Sequence, residues 1–186
     1  SNLQRQILHK ESRLGQNKAV SAAKSLHGLN AQVHVQTYSQ FMDGAHLRQV
    51  LPDYDIVIDA TDKLENKFLI NDVCVSAEKP FVHGGITGFS GQVMTYVPEK
   101  GPCYRCIFGE VPEDNAPAPI PVIGVTAGII GTIQAAEAIR YLLGIPSLLT
   151  GKLLVLDGLR MQFRTVPFPH VSEHCPLHTR KGVTDL

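Results

Sequence analysis

Charge of either sign is missing as a net quantity in this chain. Lys and Arg number 17, Asp and Glu also 17, and the basic residues are scattered. No nucleic-acid or anionic-membrane surface is therefore expected. Long apolar runs are absent too: the longest, Pro121 to Ile133, is too short for a bilayer and gives way to Gln134, Glu137 and Arg140. No secretory signal opens the chain, no internal repeat or low-complexity tract interrupts it, and no G-x-G-x-x-G is visible. A cytoplasmic protein is expected. Cysteine is scarce, at four in 186 residues. In a cytosolic chain of this size, such a set with one C-x-x-C reads as metal or redox chemistry rather than a disulfide framework. The length suits one core and predicts a single domain.

What is present follows an α/β pattern. Asp55 leads into Ile56-Val57-Ile58, a short β-branched run of the kind buried on both faces of a parallel sheet, and the run ends in Asp59, Thr61 and Asp62. Ligands of open α/β sheets bind beyond the carboxyl ends of such strands, where a carboxylate can hold Mg²⁺ on a nucleotide phosphate. Asp62 could equally cap the helix that follows. Upstream, Val20, Ala23, Leu26 and Leu29 predict a helix over 15–29, and alternation predicts a strand over 31–38. A short helix is expected over 43–51 and an amphipathic one from Lys63 onward.

Phe81-Val82-His83 predicts a strand, Gly84-Gly85 with Gly88 a tight, close-approaching backbone, and 91–97 a further strand. This order predicts a Rossmann-like, mostly parallel sheet with an antiparallel extension. Residues 99–121 read as a mobile loop. A long helix is expected over 122–143, with Gly124, Gly128 and Gly131 in close packing, within the domain or across a dimer. Strands over 152–157 and 161–166 precede a His- and Pro-rich tail.

Cys103-Tyr104-Arg105-Cys106 is one half of a metal knuckle, and Cys175-Pro176-Leu177-His178 offers the other. Cys₃His is a structural zinc set, and four protein ligands leave no open position for catalysis. His174 and His170 are possible substitutes for His178. The rival is a redox C-x-x-C, a motif that usually opens a helix, whereas Pro102 suggests a loop. Cys74 falls on a helix face and is expected in the core.

Six motifs in order carry a resemblance: Ser1-Asn2-Leu3-Gln4-Arg5-Gln6, Gly15-Gln16-Asn17-Lys18, Asp59-Ala60-Thr61-Asp62, Gly84-Gly85-Ile86-Thr87-Gly88, Cys103-Tyr104-Arg105-Cys106 and Ala135-Ala136-Glu137-Ala138-Ile139. Together they resemble the ThiF/MoeB/HesA proteins, relatives of the activating enzymes of ubiquitin. The resemblance implies a usually homodimeric adenylyltransferase that binds Mg-ATP. Its substrate would be the C-terminal glycine of a small ubiquitin-like sulfur carrier ending in Gly-Gly, for thiamine or molybdopterin biosynthesis.

It also implies that Ser1, Asn2, Leu3, Gln4 and Arg5 contact ATP and that Lys18 reaches the phosphates. Asp62 would hold Mg²⁺, with Lys63 beside it, and Arg5, Lys18 and Asp62 would be the catalytic residues. Without the resemblance, Arg5 and Lys18 read as solvated surface charges.

Three departures qualify it. The family's glycine-rich turn and ribose-binding acid would precede Ser1. Residues 1–186 are thus expected to be an N-terminally truncated adenylation domain: 1–98 the nucleotide-binding part, 99–121 the loop, 122–186 the helix, strands and zinc tail. Thr61-Asp62-Lys63 stands where the family has Thr-Asp-Asn. Persulfide- or thioester-forming members carry a cysteine where 114–119 has none. The competing readings are a catalytically incompetent relative or fragment that binds the carrier, and a nicotinamide-binding Rossmann protein.

Overall fold

The computed structural model describes residues 2–111 and 121–178. The chain divides into two compact units, Ser1–Asp43 and Gly44–Leu186.

In the first unit the main element is α1 (Lys18–Leu29), capped by the Asn17 side chain, which accepts from Ala19 N and Val20 N. A cap of this kind satisfies amides that the first helical turn leaves open. The preceding segment is tied to α1 by polar bonds. Arg13 Nη1 donates to Ser21 O at 2.8 Å and to Ser25 Oγ at 2.7 Å, and Ser25 Oγ donates to Leu8 O at 2.6 Å. The strand expected over 31–38 is not formed among the described residues: no ladder pairs with it. Alternation specifies a face, but a strand also needs a hydrogen-bonding neighbour.

The second unit runs α2 (Gly44–Val50), a 3₁₀ turn (Leu51–Asp53), β1 (Val57–Asp59), α3 (Leu64–Ser76), β2 (Phe81–Thr87) and β3 (Ser90–Tyr96). Then come α4 (Tyr104–Phe108), α5 (Gly124–Leu142), β4 (Lys152–Asp157) and β5 (Gln162–Pro167). The five strands form one sheet in sequence order. β1 and β2 are parallel, with Asp59 level with His83, and β2 to β5 make the antiparallel extension. The α/β class and the extension stand as expected, and among the described residues the parallel part is the β1/β2 pair.

The central strands β2 and β3 are buried on both faces through their two-residue alternation, whereas β1, expected to be buried on both, leaves Ile58 47% exposed because only β2 flanks it among the described residues. Phe81, Met94, Tyr96 and Leu153 point to the side of α3 and α4, where Phe68, Cys74, Cys103 and Cys175 also pack. Val82, Val93 and Leu156 point to the other side, against Ile130 and Ala138 of α5. Each such side chain contributes about 1.5–3 kcal/mol when fully buried. The buried residues of α5, Thr126, Ile130, Gln134, Glu137 and Ala138, recur every three or four positions. Glu137 is tolerated inside because its carboxylate accepts from Thr95 Oγ1 at 2.6 Å and Leu149 N at 2.7 Å and pairs with Arg140.

The glycines serve different ends. Gly84 and Gly85 lie within β2, and the turn is made at Gly88, whose φ is +52°. Among the described residues nothing of this chain packs on Gly128 or Gly131, since a Cβ there would meet nothing within 4 Å, so of the two packings expected the one within the domain is not found. Two strand glycines facing α5 are crowded: a Cβ at Gly84 would meet Gln134, and one at Gly91 would meet Ile130. Part of the expected loop 99–121 is a docked element, since α4 begins at Tyr104 with Cys103 and Tyr104 buried. Residues 112–120 of that expectation lie outside the described residues.

Candidate functional site

The carboxyl end of β1 is built around a buried carboxylate. Asp59 Oδ1 accepts from the Thr61 amide at 3.0 Å and the Thr61 hydroxyl at 2.7 Å, so the chain turns sharply after the strand. Its Oδ2 accepts from Lys67 Nζ at 3.2 Å and from His83 Nδ1 at 2.8 Å. Lys67 also donates to Gly84 O at 2.8 Å, and Gln134 Nε2 donates to Asp59 O at 2.7 Å. An ionised carboxylate only accepts, so Nδ1 of His83 carries the proton and Nε2 accepts from Gln92 Nε2 at 3.3 Å.

Both Asp59 oxygens are thus engaged inside the protein. The carboxylate left open at the strand end is Asp62, which is exposed. Burial pushes the Asp59 carboxyl up, but the His83 hydrogen bond, the Lys67 charge and the Thr61 hydroxyl outweigh it and bring it down to about 2. Burial pulls both Lys67 and His83 below their ordinary values, against the attraction of Asp59.

Asp62 is not the helix cap. The N-cap of α3 is Lys63, which makes no side-chain capping bond. Lys63 is exposed beside Asp62. In the other unit, Asn2 to Gln6 form a turn in which Arg5 N and Gln6 N donate to Asn2 O, and the Arg5 guanidinium bonds Asn2 Oδ1. Leu3 and Gln4 are exposed, and Lys18 is the exposed first residue of α1. Ser1 lies outside the described residues.

The metal set does assemble. One ligand atom from each of Cys103, Cys106, Cys175 and His178 lies within 4.8 Å of the others. Cys103 Sγ is 3.7 Å from the Sγ of both Cys106 and Cys175. A tetrahedral ion with bonds of about 2.3 Å to sulfur would set such atoms about 3.8 Å apart. Each pair is presented by one tight turn: Cys106 N donates to Cys103 O, and His178 N to Cys175 O. His178 Nε2 is buried without a hydrogen-bond partner, as a ligand nitrogen would be. His170 and His174 are exposed and outside the cluster. Cys103 does precede a short helix, so the argument from loop context fails, yet Cys175 and His178 complete a metal set that a redox pair would not need. Cys74 is core, as expected.

Lys67, His83 and Gln134 were not anticipated. Lys67 and Asn71 lie at helical spacing from Leu64 on the buried stripe of α3, which was the available signal. His83 ends an otherwise apolar strand triplet.

With this geometry in view, a model of the ThiF family matches residues 1–177. The chain belongs to the ThiF family. Among its relatives, the SAMP-activating enzyme E1 of Haloferax volcanii is 41% identical over 192 residues, spanning 100% of this chain and 69% of the relative. The adenylyltransferase and sulfurtransferase MOCS3 of Drosophila persimilis is 37% identical over 188 residues, 96% of this chain and 42% of that protein. The fold is shared with E. coli MccB, crystallised with ATP, at a TM-score of 0.81 and 22% identity over 95% of this chain and 54% of MccB. The chain thus spans about half of MccB and less than half of MOCS3. Among the described residues no helix is long and apolar enough to cross a membrane.

Proposed function

We propose that this ThiF-family chain takes part in ATP-dependent adenylation of the C-terminal glycine of a small ubiquitin-like sulfur carrier. The observation that carries the reading is Asp62, left exposed at the carboxyl end of β1 while Asp59 is consumed in bracing the turn. The kinship supports it, since the relatives are named for activating and adenylyltransferase chemistry and MccB was crystallised with ATP.

In this reaction the carrier carboxylate attacks the α-phosphorus of ATP, the bond from that phosphorus to the bridging oxygen breaks, and pyrophosphate leaves. The nucleophile is already an anion at neutral pH, so no general base is required. Arg5 and Lys18 would offset the charge that develops on the phosphates, and Asn2 would orient Arg5. Asp62 would hold Mg²⁺, which favours one or two carboxylates plus phosphate oxygens and would screen the leaving pyrophosphate. Lys63 would add a phosphate contact. Cys103, Cys106, Cys175 and His178 would hold a structural Zn²⁺.

A homodimer is part of the proposal. On α5 the positions Val125, Gly128, Thr132, Ala135, Ile139 and Leu142 alternate by three and four, are exposed and carry no charge. Such a stripe suits the same stripe of a second copy. The carrier would belong to the thiamine or molybdopterin type.

The test is carrier-dependent exchange of labelled pyrophosphate into ATP. Exchange with a diglycine-ended carrier supports the proposal, and its absence with every such carrier refutes it.

A further inference from the structure

Between the metal cluster and the Asp62 turn there is one continuous, buried path of side chains. Tyr104 sits between Cys103 and Cys106, with its amide donating to Asn71 Oδ1 at 2.8 Å. Its ring lies against the His83 imidazole, with centroids 4.6 Å apart, and against Phe108 at 4.4 Å. His83 bonds Asp59 Oδ2, and the other oxygen of the same carboxylate holds the Thr61 amide and hydroxyl, one residue before Asp62. Tyr104, His83 and Asp59 are 3%, 0% and 1% exposed, so none can relax into solvent.

We propose that the Cys103–Cys106 metal knuckle and the Asp62 turn are coupled through Tyr104 and His83, so that filling the Cys₃His site orders the turn. Tyr104 and His83 are then positioning residues. A close-packed interior passes on a displacement instead of absorbing it. If the knuckle opens, Tyr104 loses its seat, the His83 ring gains room to rotate, and the Asp59 carboxylate can swing away from Thr61. Opposing this, Arg105 grips Asp72 through two bonds of 2.6 and 2.7 Å and stacks on Phe68, and Asn71 holds the Tyr104 amide. Those contacts would keep Tyr104 seated without metal if the coupling were absent. The functional meaning of the coupling rests on the reading of Asp62 as a cation ligand, but its existence does not.

Hydrogen exchange at the Thr61 amide tests it without any turnover, so a protein that adenylates nothing still gives a clear result. The full chain is compared as Zn²⁺-loaded, after chelation, and after Zn²⁺ is restored. Protection at Thr61 is expected to fall about tenfold on chelation and to return with Zn²⁺, while Val93 and Met94 amides in β3 keep theirs. Tyr104→Leu with its metal retained should show the loss already, with chelation adding none, and Tyr104→Phe should behave as the wild type. Unchanged Thr61 protection on chelation, or loss shared equally by β3, overturns the proposal. So does a Tyr104→Phe protein that lacks the protection.

Discussion

Gln134 lies directly over Gly84: a Cβ at that glycine would sit 2.4 Å from the carboxamide carbon. The same carboxamide donates to Asp59 O and Val82 O, joining α5 to both parallel strands. Gly84→Ala is therefore expected to cost about 1–3 kcal/mol through overpacking, read as a lower midpoint in urea melts. Combined with Gln134→Ala, which removes the obstacle, the loss should be clearly less than additive. Strict additivity would show that the two residues are not coupled.

Asp62 tests the chemistry. Because it is exposed and does not cap α3, Asp62→Ala should leave the thermal midpoint within the small range of surface changes. Carrier-dependent pyrophosphate exchange should fall roughly a hundredfold or more, as expected on losing prepositioned electrostatic support. If exchange survives, Asp62 holds no essential cation. Carrier binding unchanged by Asp62→Ala, in a chain that never turns over ATP, would favour the carrier-binding module.

The cysteine cluster makes its own prediction. Elemental analysis of the native chain should find about one Zn²⁺ per chain, and Cys175→Ser or His178→Ala should lower both metal content and thermal midpoint. Metal binding requires deprotonated thiols, so retention should weaken as pH falls. A metal-free chain with an unchanged midpoint would remove the structural role.

Acid should unfold the second unit in two windows. Burial keeps His83 below its ordinary 6.5, so below that value the unfolded chain takes up a proton that the folded chain resists, and stability falls as pH drops. Asp59 acts lower: its folded value of about 2 lies under the ordinary 3.8, so its stabilisation is full above 3.8 and lost as pH falls toward 2. That depression corresponds to about 2 kcal/mol. Urea melts against pH should show both limbs, and His83→Gln should remove the upper one. A flat profile between 6.5 and 4 would exclude the buried neutral imidazole.

Much of this was readable from the residues because it is local. The apolar run of β1, the helical spacing of Val20, Ala23, Leu26 and Leu29 in α1 and the C-x-x-C each declare themselves within a few positions. What was hidden depends on partners distant in the chain. Nothing near His83 announces Asp59, 24 residues earlier, and nothing near Gln134 announces the Asp59 carbonyl, 75 residues away. Gly84 promised a close approach of the backbone, as glycine often does, but what approaches it is Gln134 on a helix 50 residues later. Residues 31–38 show the converse, a legible alternation with no paired neighbour among the described residues.

β5 closes the sheet with only β4 beside it among the described residues, and most of its side chains are open to water. Such a rim could recruit stray strands, and with Phe163 half exposed it would be adhesive if left plain. Its six residues instead include Arg164 on the sheet face opposite Phe163 and end in Pro167, which has no amide to offer an incoming strand. Exchanging Arg164 and Pro167 for valine would turn a guarded border into a template for fibrillar growth.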